Sequence, residues 1–92
     1  MAAARANPLV AGAAFIGVGT YAGATMRETG TAAAVVRLWD NASAASGTLI
    51  AVLGCALGGV DKHNTAITVA FVKGIFVEVV GTGVVEGAIY LN

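Results

Sequence analysis

Apolar and polar residues alternate with a period of two through much of this chain. In residues 74–80, Ile75, Val77 and Val79 share one face, and Phe76, Glu78 and Val80 share the other. In 84–91, Val85, Ile89 and Leu91 face one way, and Glu86 and Tyr90 the other. In 65–71, Ile67, Val69 and Phe71 oppose Thr68 and Ala70; in 32–39, Val36 and Leu38 oppose Val35, Arg37 and Trp39. That period belongs to a half-buried β-strand. Strands are predicted at 13–18, 20–27, 32–39, 48–55, 65–71, 74–80 and 84–91. Between them lie the turn Glu28-Thr29-Gly30, a loop over 40–47, a loop over 56–64, and the turn Gly81-Thr82-Gly83.

Short strands with closely spaced turns predict an all-β fold. The expected architecture is a small antiparallel β-sandwich or jelly-roll-like barrel of about seven to eight strands. Residues 1–12, MAAARANPLVAG, are expected to form an extended N-terminal arm, because Pro8 and Gly12 interrupt any helix. Residues 13–92 form the sandwich domain.

The outward faces of these strands carry the functional signal. A monomeric sandwich keeps its solvent faces polar. Here Val35 and Trp39 stand opposite Val36 and Leu38, and Phe76 and Val80 stand opposite Ile75 and Val77. Apolar surface of this kind marks an interface. The candidate interface residues are Val35, Trp39, Phe76, Val80 and Tyr90 on the strands, with Pro8, Leu9 and Val10 in the arm. The expectation is a homo-oligomer, or a subunit docked on something larger.

Composition sharpens this picture. The 92 residues are 58% hydrophobic and 11% charged, against roughly 45–50% apolar in ordinary soluble domains. A domain this small buries only about 60–65% of its unfolded surface, so partners help to stabilise it. Five basic residues balance five acidic ones. The basic stripe of a nucleic-acid binder is missing. Pro8–Met26 has about the length of a membrane span, but Gly, Thr and Tyr interrupt it and Leu and Ile are scarce. No membrane partner is expected. The N-terminus has one arginine and no long leucine-rich core, which makes a weak signal peptide.

Candidate chemistry is sparse. A single cysteine excludes an intrachain disulfide, and a single histidine excludes a one-chain zinc cluster. Asp61 and His63 in GGVDKHNT could pair as a general base or share a metal between chains, but no second histidine or acidic cluster supports them. They read as a solvated loop. Cys55 in VLGCAL lacks the nearby positive charge that activates a thiolate. Asp40 and Asn41 fall short of a calcium loop, and Asp40 reads as a local turn former. GVG and GTG do not continue into a dinucleotide or phosphate-binding fingerprint. Arg27, Glu28, Arg37, Lys73 and Glu78 read as solvated or rim charges. No catalytic residue, metal site or cofactor is assigned, and no enzyme activity is expected.

TAAAVVRLWDNASAASGTLIAVLG followed by VKGIFVEVVGTGVVEGAIYL resembles a pattern in small β-sandwich proteins of tailed bacteriophages. In that pattern a strand ends in an aromatic-Asp pair, here Trp39-Asp40. A Ser/Ala-rich loop then ends in Gly-Thr-Leu, here residues 43–49. A later G-[IL]-x-V-x-V-x-G-T-G segment, here 74–83, leads to the last strand. The resemblance spans about residues 31–91 and leaves the alanine-rich arm outside. It implies a capsid decoration or cement protein on the outer capsid surface of a virion, bound to the major capsid protein and to itself, as a homotrimer or other multimer. A head-fibre base or minor tail protein is the alternative, and a small membrane-associated protein a more distant one.

Overall fold

The computed structural model describes residues 5–30 and 32–92, with the backbone alone over 62–68. Among the described residues it contains eight strands: β1 (Arg5–Pro8), β2 (Gly12–Ile16), β3 (Gly19–Glu28), β4 (Ala34–Asp40), β5 (Thr48–Cys55), β6 (Val60–Phe71), β7 (Gly74–Val80) and β8 (Val85–Leu91). Sheet I has the order β1-β8-β3-β6, and sheet II the order β2-β7-β4-β5. Every neighbouring pair is antiparallel.

The topology follows from one long antiparallel ribbon. Its pairs, from the inside out, are β4 with β5, β3 with β6, β2 with β7, and β1 with β8. Successive pairs fall alternately into the two sheets. This is a jelly roll, an architecture of eight strands in two sheets. The expected all-β sandwich is therefore the fold.

The inner faces are those the alternation marks. Val36 and Leu38 of β4, Ile75 and Val77 of β7, Ile89 and Leu91 of β8, and Phe71 of β6 are buried with Leu53, Met26 and Tyr21. Phe71 packs edge-on to Phe15, ring centres 5.8 Å apart. Burial pushes the Tyr21 hydroxyl up to about 12, with the nearby Asp61 charge adding to it.

Two predicted boundaries move. The residues expected as an arm are extended, but from Arg5 onward they belong to the sandwich. β1 pairs with β8, from Arg5 opposite Leu91 to Pro8 opposite Ala88. Proline is tolerated there because β1 is a sheet edge, where one side of the backbone needs no ladder bond. The predicted loop over 56–64 shrinks to a tight turn. Gly58 adopts φ +69°, the Gly59 amide donates to the Ala56 carbonyl at 2.8 Å, and β6 begins at Val60. Asp61, Lys62, His63 and Asn64 lie in the strand rather than in a loop. β6 is also an edge, and charged residues are how edges avoid unwanted pairing. Val69, expected inside, is partly exposed. Beside it the β3–β6 register breaks: Tyr21 faces Val69 while Gly23 faces Asn64.

Candidate functional site

Sheet II turns a ribbed apolar face outward. Register places its side chains in three rows across the strands. The first runs Ala13, Phe76, Trp39, Leu49. The second runs Glu78, Arg37, Val52. The third runs Val80, Val35, Gly54. Val35, Val80, Leu49 and Val52 are each at least 36% exposed. Trp39 and Phe76 are half-buried. Four of the residues read from sequence as interface, Val35, Trp39, Phe76 and Val80, thus meet on one surface.

The middle row holds the charges. The Trp39 indole Nε1–H donates to Glu78 Oε1 at 3.2 Å, and Arg37 lies 3.7 Å from the same oxygen. The face is therefore apolar at both edges and polar but neutral at its centre. Trp and Arg are the residue types enriched where interfaces bind hardest.

The other candidate residues go elsewhere. Tyr90 and Pro8 belong to sheet I, where Pro8 stands opposite Ala88 and Ala6 opposite Tyr90. That sheet's outer face carries an Arg27–Glu86 ion pair beside an open groove of about 530 Å³. Val10 is exposed at the β1–β2 turn, next to Val84. Leu9 is only 3% exposed and packs in the core. Its interface assignment is corrected: the backbone turns after β1 and drives this side chain between the sheets.

Sequence reading missed Leu49 and Val52. Strict alternation cannot put residues three apart on one face. A β-bulge does so here: Leu38 faces Ala51 and Trp39 faces Leu49, leaving Ile50 as the extra residue. Also missed are Ile16, Val18 and Val72, which sit 65–74% exposed at the end of β2 and on the β2–β3 and β6–β7 turns. The Gly17 amide donates to the Lys73 carbonyl at 2.9 Å and holds those two turns side by side.

The carboxylates that sequence reading left on the surface or in a local turn have structural work. Glu28 is 2% exposed. It accepts the backbone N–H groups of Gly30, Gly58 (3.2 Å) and Val84 (3.1 Å), tying three turns together at one end of the sandwich. Burial alone raises its pKa, but these three donors outweigh it and hold the carboxyl below its ordinary value. Asp40 does the same at the opposite end. It accepts from Val72 (3.2 Å), Lys73 (2.9 Å) and Gly74 (3.4 Å) in the β6–β7 turn. Desolvation raises its pKa, and the backbone donors with the Lys73 charge lower it further than that. The local turn expected of Asp40 is made by Asn41 instead, whose Oδ1 accepts from Ser43 (2.9 Å) and Ala44 (3.1 Å).

Burial pushes the Cys55 thiol up, away from the reactive thiolate. The His63 side chain lies outside the described residues. Among the described residues no three His, Cys, Asp or Glu side chains group as a metal site, and no helix is long and apolar enough to cross a membrane. The stretch 8–26 is spent on the end of β1, on β2, on most of β3 and on the turns between them. No family model, no curated protein and no solved structure matches this chain.

Proposed function

We propose that this chain is a structural protein of a virion: a self-associating decoration subunit that binds the major capsid protein on the outer capsid surface and bridges neighbouring capsomers. The observation that carries this reading is the outward face of sheet II, with its two apolar rows around Trp39, Arg37 and Glu78. The jelly roll itself serves viral capsid proteins, lectins and cupins alike, so the weight rests on the surface rather than on the fold. A decoration subunit needs area, repetition and rigidity. Many modest contacts repeated over a shell give high avidity without new chemistry. The Glu28 and Asp40 clamps stiffen the turns at both ends, and the apolar tips Ile16, Val18 and Val72 offer a contact region toward the shell while the face of sheet II serves self-association. The resemblance to phage decoration proteins supports the same reading.

The test is sedimentation of a lysate in which virions carrying this chain assemble, with mass spectrometry of each fraction. The chain is expected in the fast particle fraction, at many copies per shell. Recovery only in slow fractions would sink the proposal. W39A and F76A chains, weakened in self-association, should lose avidity and bind particles at least about tenfold more weakly. Unchanged binding by both would mean that self-association through this face does not hold the subunit on the particle.

A further inference from the structure

We propose that the outer face of sheet II takes a second copy of this chain, about a two-fold axis running along the strands midway between β4 and β7. The proposal deepens the structural-subunit reading and rests on the same face. Its basis is the register. A half-turn about such an axis leaves position along the strand unchanged and exchanges β4 with β7. Each β4 residue then lies over the residue that pairs with it in its own sheet, on the other copy. Trp39 covers Phe76, Arg37 covers Glu78, and Val35 covers Val80. Aromatic meets aromatic, valine meets valine, and each arginine meets a glutamate, twice. The interface is isologous, as in the commonest class of oligomer.

The charges decide for a second copy over other occupants. Burying Arg37 and Glu78 under an uncharged apolar partner strips both of water and returns no new pairing. A nucleic acid meets Glu78 at the centre of the face. A second copy instead supplies the complement from the same two residues, and closes a neutral group of two arginines and two glutamates. Both side chains are accessible for this, Arg37 45% and Glu78 32% exposed. The size also fits. The molecule measures 37 × 27 × 17 Å, and stacked sheets lie about 10 Å apart, which makes the short dimension the stacking direction. The broad face is then large enough for the roughly 800 Å² per partner of a standard interface.

Charge exchange between two different chains tests this and separates it from the ion pair inside one chain. Analytical ultracentrifugation of the purified wild-type chain is expected to show a dimer. R37E alone opposes four carboxylates at the axis, and E78R alone opposes four guanidinium groups. Each should weaken dimerisation at least about tenfold, with the β circular dichroism spectrum retained. A one-to-one mixture of R37E and E78R should recover the dimer, because each chain now supplies what the other lacks. A wild-type monomer or trimer overturns the proposal, and so does a mixture no tighter than its components. If either reversed chain fails to fold, V35E on the exposed outer row reads the same surface, and wild-type dimerisation of V35E overturns the proposal. Self-association is measured without particles, so this inference and the capsid reading fail separately.

Discussion

Leu38 has no exposed surface and packs among Val36, Leu53 and Val77 in the space between the sheets. Truncating such a leucine removes transfer energy and leaves a cavity, about 2–5 kcal/mol together. A chain of this size holds only about 5–14 kcal/mol in total. L38A should therefore show a large fall in its urea midpoint, whereas Trp39→Ala, on the opposite face of the same strand, should lose association before stability. The two carboxylate clamps set the acid limit. Both Glu28 and Asp40 have folded pKa values below their ordinary ones. Their stabilising contribution is complete above the ordinary carboxyl range, near pH 4, and is lost as pH falls through the folded values. Urea midpoints should hold from pH 7 to about 5 and drop below about 4. D40N should be less stable than wild type at pH 7, and the gap should narrow toward pH 2. A gap that does not change with pH would show that the Asp40 charge is not what holds the β6–β7 turn.

Strands and turns bring in constraints that single residues do not reveal. Gly87 in β8 has φ +158°, and a Cβ built there would lie 2.0 Å from the Thr25 carbonyl oxygen. No side chain fits without displacing β3 from β8. G87A should cost about 1–3 kcal/mol or more, as an overpacked backbone contact does, and thermal melts would show it. Wild-type stability in G87A would mean that the two strands separate without penalty. The bulge at Ile50 works at the same scale. It brings Leu49 and Val52 onto the outer face, beside Trp39 and Arg37. Alternation alone misassigns that strand because a bulge reverses the inside–outside phase, and only the partner strand reveals where it lies. The start of β6 escaped for a related reason. Asp61 through Asn64 have the composition of a loop, yet the edge strand β6 runs through them.

At the scale of the whole molecule, the two sheets share one core, and the pairing strands lie far apart in sequence, β1 with β8 and β2 with β7. Non-local pairing of this kind folds slowly, in milliseconds to seconds. Refolding followed by Trp39 fluorescence and by far-ultraviolet circular dichroism should give one rate in that range, and microsecond refolding would contradict the topology. The chain by itself determined the strands predicted at 32–39, 74–80 and 84–91, to within two residues of the observed bounds, and their buried faces, because a period of two is a local property that any short segment displays. It also determined the excess of apolar side chains over core positions, since both are readable by alternation and composition. Tertiary structure decided the rest. β1 carries no alternation in Arg-Ala-Asn-Pro and becomes a strand only because β8 offers it an edge. Glu28 leaves the surface because Gly58 and Val84 arrive from distant turns to donate to it. Trp39 meets Phe76, and Arg37 meets Glu78, because β4 and β7 pair in one register out of many. Register is chosen by the packing of the whole core, where a slip of one residue turns every buried side chain outward.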